Sequence, residues 1–195
     1  IDYFQRAIDA DPGFAPAHSG LADAYVLLSN YGDMPQTEAY ATAEPSIDRA
    51  LALDPGLAEA WTSKGLLADS RNRSFESLEY LQKALALNPN SAAALLGLAD
   101  TQYKLARGTK SLTLSARALE LDPMSDFFRQ QHLVHLAQSG HGNEALRLAT
   151  AWAEKEPQNP FPFEAIGDAY LTGLGQPQRA VTAYARAHDL RPGDT

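Results

Sequence analysis

The sequence predicts an all-α chain of stacked helix pairs, an α-solenoid, and three observations carry that prediction. First, a proline closes one helix-like segment after another, at Pro12, Pro55, Pro89, Pro123, Pro157 and Pro192, at intervals of 43, 34, 34, 34 and 35 residues. A repeat of 20 to 50 residues is the mark of a stacked-repeat architecture. Second, alanine and leucine are abundant, β-branched residues are few, and the twelve prolines sit mostly between segments, which favours helices joined by short turns. Third, apolar residues between the prolines recur at helical spacing.

The elements follow in chain order. Ile1 to Ala10 reads as the second helix of a pair, with Ile1, Phe4, Ala7 and Ile8 on one face. Pro12 ends it, because the residue before a proline avoids the α region. Ile1 lies inside the helical pattern, so the chain reads as cut from a longer parent. The next helix begins at Ala15 and carries Gly20-Leu21-Ala22-Asp23-Ala24-Tyr25. The first interval exceeds the common one by nine residues, and the excess falls between Tyr25 and Ala43. This predicts a longer first helix, a turn around Tyr31, and an early second helix with Pro35 at its first position. Pro45 should kink or split that helix, since it has no N–H for the Ala41 carbonyl.

The next pair carries Trp61 and Gly65, then Ser77, Leu81 and Ala84 before Pro89. The one after has Leu95, Leu98 and Ala99, followed by Ser111 and Ala118. The last has Phe163, Ile166, Gly167 and Tyr170, followed by Ala180, Tyr184 and Ala187. Between these two, one pair breaks rank. Arg129, His132 and Leu133 stand where the others have a bulky, an apolar and a small residue. Trp152 fills a small slot and Ala149 a bulky one. This size swap predicts a buried indole.

These slots resemble the tetratricopeptide repeat family over essentially residues 1–192. The resemblance implies a right-handed superhelix with first helices lining the concave side. It divides the chain into a half repeat over 1–14 and repeats over 15–57 (with an insertion at 29–37), 58–91, 92–125, 126–159 (degenerate) and 160–195. Small residues at Ala22, Gly65, Ala99 and Gly167 let paired helices approach closely, and one pair cannot bury its own apolar face, so neighbours stack. The extended first unit is similar to that of repeat domains attached to bacterial transcription regulators and nucleotide cyclases.

The chemistry is sparse. There is no cysteine, which excludes disulfides and thiolate metal sites. No phosphate loop, nucleophile elbow or HExxH motif occurs, and Gly173-Leu174-Gly175 reads as a helix–helix turn. The chain is therefore expected to be non-enzymatic and to use no cofactor. His132, His135 and His141 lack a fourth ligand, so His132 is expected in the core and the other two in solvent. A net charge of −8 repels phosphate backbones, arguing against nucleic-acid and anionic-membrane binding. The apolar stretch around Ala92–Leu96 is too short to span a bilayer. The compartment stays open.

Function is expected in the groove that the resemblance implies. Its positions are Ser19, Asp23, Val26 and Leu27; Glu59, Thr62, Leu66 and Asp69; Leu96, Asp100, Tyr103 and Lys104; Phe127, Gln130, Val134 and Gln138; and Phe161, Glu164, Asp168 and Leu171. Asp23, Asp100 and Asp168 are equivalent in alternate repeats. The groove thus reads as apolar pockets with acidic rungs, suited to a protein or peptide segment with basic and bulky side chains. Phe127 and Phe161 either floor it or join Phe128 and Phe163 in the core. Lys104 is the one cation among these positions, which disfavours an acidic carboxylate ligand. The alternative is a sensory or regulatory module of a signalling protein, its groove holding an intramolecular helix or a small ligand. Apolar Ile1, Phe4, Val181 and Tyr184 at the two ends predict weak self-association.

Overall fold

The computed structural model describes residues 1–30 and 34–191, without side chains at 29 and 30. The turn expected around Tyr31 and the final Pro192 lie outside the described residues. Among those described, the chain is all-α and falls into two compact units, Ile1–Thr101 and Gln102–Thr195.

The first unit holds α1 (Asp2–Ala10), α2 (Ala15–Asn30), α3 (Gln36–Leu53), α4 (Ala58–Ser70), α5 (Ser74–Leu87) and most of α6 (Ala92–Lys104). Consecutive helices pack on one another from α1 to α5, and α2 also packs on α4. The core is rich in alanine, with Ala22, Ala39, Ala43, Ala50 and Ala60 fully buried around Ile47 and Leu67. Gly65 lets the Leu81 side chain press against the α4 backbone; a Cβ there would lie 2.5 Å from Leu81 Cγ.

The second unit holds the end of α6, then α7 (Gly108–Leu121), α8 (Asp126–Leu136), α9 (Gly142–Lys155), α10 (Phe161–Asp168) and α11 (Pro177–Asp189). Helices α8 and α10 each run on into a five-residue wide turn, over 137–141 and 169–173. Neighbours from α7 to α11 again pack in order, and α8 packs on α10. The two wide turns meet at glycines: a Cβ on Gly142 would lie 2.7 Å from the Gly173 backbone. Leu133, Leu136, Trp152 and Ala165 form the core.

The proline punctuation has a local cause. Asp11, Asp54, Asn88, Asp122 and Glu156 are extended, with φ between −128° and −142°, as the following proline demands. Each donates its N–H to the carbonyl four residues back, and each carbonyl accepts from the N–H three residues on. At Asp11, Asp54 and Asn88 the side-chain oxygen also accepts the N–H two residues on, at 2.9, 2.8 and 3.1 Å. These Asx turns make aspartate and asparagine the favoured residues there.

The turns inside each pair follow a different rule. Asn72, Ala106, Gly140 and Gly175 all have positive φ, at 58°, 57°, 90° and 63°. Beyond Asn72 and Ala106 an N–H reaches the carbonyl five residues back, Arg73 to Ala68 and Arg107 to Gln102, each at 2.9 Å. This is the left-handed helix stop with its backward bond.

Several expectations change. Pro35 precedes α3 as its N-cap instead of occupying the first helical position. Pro45 does not split α3, which runs unbroken through it, because the surrounding helix is held by Ala39, Tyr40, Ala43 and Ile47 in the core. The histidines are redistributed. His135 is the buried one, at 1% exposure, bonded through Nδ1 to Ser111 Oγ at 2.8 Å. His132 is half-buried, its Nδ1 3.0 Å from Ser115 Oγ, and His141 is exposed. Both rings reach serines of α7, and His135 does so from the buried side of α8.

Trp152 is buried as expected, at 5% exposure. The structure also explains Arg129. In two other pairs the residue at this slot donates to a proline carbonyl six residues back: His18 to Pro12 at 3.1 Å and Trp61 to Pro55 at 2.9 Å. Arg129 does the same to Pro123 at 3.2 Å, while its guanidinium covers the Trp152 ring at 4.8 Å and pairs with Glu156 at 3.6 Å. A planar cation fits both an aromatic face and a carboxylate.

Candidate functional site

The expected groove positions fall into two sets, one in each unit. In the first, Leu27 is 53% exposed and Leu66 also faces solvent. Asp23 is exposed and Asp69 half-buried. Leu96, by contrast, is 6% exposed and part of the interior; it offers a ligand almost no surface. In the second, Tyr103, Lys104 and Phe127 are exposed. Val134, Phe161, Glu164 and Asp168 are half-buried and Gln130 is buried. Asp100, on α6, is half-buried.

The acidic rungs are not bare charges. Ser63 Oγ on α4 donates to Asp23 Oδ1 on α2 at 2.5 Å. A hydroxyl has one proton, so this short charge-assisted bond takes precedence over the Glu59 carbonyl at 3.0 Å. Asp23 is pushed above the usual carboxylate range, mainly by burial of its carboxyl; the Ser63 bond lowers it and the neighbouring Glu59 charge raises it. Asp69 accepts from Thr101 Oγ1 at 3.3 Å, and Thr101 in turn lies 2.8 Å from Ser77 Oγ. Each carboxylate thereby ties one first helix to the next.

The second unit concentrates the chemistry. Asp168 accepts the Tyr184 hydroxyl at 2.7 Å and a bond from Gln130. Gln130 on α8 also bonds Glu164 on α10. Burial raises both carboxyls above their ordinary range, against these bonds and, for Glu164, against Arg191. Tyr184 is pushed well above the usual phenol range by burial and by Asp168, so it remains a donor at all ordinary pH. Arg191 pairs with Glu164 at 2.6 Å and lies 5.2 Å from the Phe161 ring. Phe127 stacks edge-on against Phe128 at 5.6 Å.

Sequence reasoning brought Gln130, Phe161, Glu164 and Asp168 to one place and missed Ser63, Thr101, Tyr184 and Arg191. Tyr184 was assigned to a bulky core slot. Its ring does pack on Gly167, but the glycine brings it close enough for its hydroxyl to reach Asp168. Arg191 adds a cation beside the expected positions, of which Lys104 is the one cationic member. It belongs to the segment after α11, where no first-helix slot points to it. Among the described residues no group of three or more His, Asp or Glu side chains is placed to hold a metal, and no helix is long and apolar enough to cross a membrane.

Comparison with known proteins matches this architecture. The family model described as tetratricopeptide repeat matches residues 58–91. The human PEX5-related protein is 25% identical over 186 residues and 84% of this chain, which spans 27% of that relative's length. The crystal structure of YrrB, described as a TPR protein with an unusual peptide-binding site, is 25% identical. It superposes with a TM-score of 0.57, covering 97% of this chain and 93% of that one. A thermophilic TPR protein of Thermus thermophilus is 19% identical with a TM-score of 0.71, covering 91% and 93%.

Proposed function

From the match of residues 58–91 to the tetratricopeptide repeat model and the shared fold of the similar structures, we propose that the chain is a protein-interaction scaffold whose first helices receive a protein or peptide segment with basic and apolar side chains. The observation that carries this is the seat of Arg191. The chain's own guanidinium sits on a half-buried carboxylate and beside an aromatic ring, at Glu164 and Phe161. Both residues fall at positions expected to meet ligand. A partially desolvated acid beside an aromatic ring favours a cation over a neutral group. Exposed Leu27, Leu66 and Phe127 supply apolar surface near the acidic residues of each unit. The peptide-binding site named for YrrB supports the general class of ligand.

The test is a panel of labelled peptides of graded charge and apolar content, read by fluorescence anisotropy. Basic peptides with bulky residues should bind in the micromolar range. Asp100→Lys and Asp168→Lys should weaken them, with circular dichroism confirming that both variants fold. A panel in which acidic peptides bind best, or none binds, overturns the proposal. Exposed Ile1, Phe4 and Val181 are also compatible with weak self-association, which light scattering at rising concentration reads directly.

A further inference from the structure

A pocket in the first unit is lined by Pro16, Ser19, Gly20, Asp23, Leu57 and Glu59. Ser19 is 2% exposed and its hydroxyl makes no hydrogen bond. A buried hydroxyl without a partner carries a desolvation cost that a ligand donor would remove. Asp23 spends one oxygen on Ser63, and a carboxylate has acceptor capacity for more. Glu59 is exposed, and its charge acts on Asp23. The remaining walls, Pro16, Gly20 and Leu57, are apolar or bare. Gly20 has to stay bare, because a Cβ there would collide with the Phe4 ring.

We propose that this pocket is a lysine subsite: it takes the primary ammonium of a partner's lysine side chain between Ser19, Asp23 and Glu59, with the aliphatic stem against Pro16 and Leu57. Three acceptor groups meet the three donors of an ammonium, whereas a planar guanidinium presents its donors in a fixed fork. Apolar walls suit a four-carbon stem whose charged head alone needs polar partners. The Glu59 charge acts unfavourably on the Asp23 carboxylate, and a cation between the two offsets that repulsion. Burial, and after it the Glu59 charge, hold the Asp23 carboxyl above its ordinary range, and a positive charge beside it would favour the charged form.

The subsite deepens the scaffold reading but is tested without any peptide. The probe is methylammonium chloride, titrated into the whole chain and followed by amide chemical shifts, with sodium chloride at equal ionic strength as the control. Saturable shifts confined to residues around Ser19, Asp23 and Glu59 are expected. Glu59→Gln and Ser19→Ala should each weaken them roughly tenfold, and guanidinium chloride should bind less well. Shifts that match the sodium control, or that persist unchanged in both variants, overturn the proposal. The two readings fail separately. Saturation by methylammonium with no peptide binder sinks the scaffold reading alone. A basic peptide whose affinity is unchanged by Glu59→Gln and Ser19→Ala, with no methylammonium response, sinks the subsite alone.

Discussion

At the scale of single residues, the places that depart from the repeat are explained by partners rather than by propensity. Trp152 is the example. Its large side chain, among Ala145, Ala149, Ala165 and Ala169, supplies the volume that four alanines leave. Arg129 then lies over the same ring. Truncation removes apolar area and leaves a cavity that a helix-pinned neighbourhood refills only partly. Trp152→Ala should cost about 3–5 kcal/mol in a urea melt; a loss under about 1 kcal/mol would show that the site collapses instead. The indole's burial was legible from the size swap with Ala149. The arginine's role was not, because a guanidinium over a ring and a bond to a proline carbonyl both depend on where α8 meets the preceding turn.

At the scale of elements, two kinds of turn alternate, and only one was visible in the sequence. Turns between pairs carry a proline and, at Asp11, Asp54 and Asn88, an Asx bond, both read from adjacent residues. Turns within pairs share a backbone conformation with positive φ at Asn72, Ala106, Gly140 and Gly175, at intervals of 34, 34 and 35 residues. This second series keeps the same period but hides behind three residue types. Ala106 is the outlier, since a Cβ in the left-handed region is crowded by the following carbonyl. Ala106→Gly should therefore raise stability by about 0.5–1 kcal/mol despite glycine's greater freedom in the unfolded chain. A thermal melt reads the change, and a lowered midpoint would mean that the alanine methyl is packed.

At the scale of the whole molecule, the acidic character has a thermodynamic sign. Asp23, Glu164 and Asp168 are raised from ordinary values of 3.8, 4.5 and 3.8, each chiefly by burial. Over the window above those values the folded chain holds protons that the unfolded chain has released. Stability from these groups is then fully present below the ordinary values and is lost as pH rises through the raised ones. Glu156, lowered by its bond from Asn159, acts in the opposite sense. Asp168→Asn keeps an acceptor for Tyr184 and deletes one contributor. Urea melts from about pH 4 to 7 should show the variant gaining on the parent as pH rises; a difference that stays flat would overturn the assignment. The net charge of −8 gives the chain a negative field, which salt screens.

What the sequence by itself determined is the helical punctuation and, from it, where the helices begin and end. Both follow from rules that act over a few residues: proline's missing N–H, the Asx bond, the 3.6-residue period. Only the tertiary structure decided which polar groups meet. Ser63 and Asp23 are 40 residues apart, Thr101 and Asp69 are 32, and Tyr184 and Asp168 are 16. Such partners are chosen by the angle and height at which packed helices cross, and that geometry is set by the fit of many side chains at once.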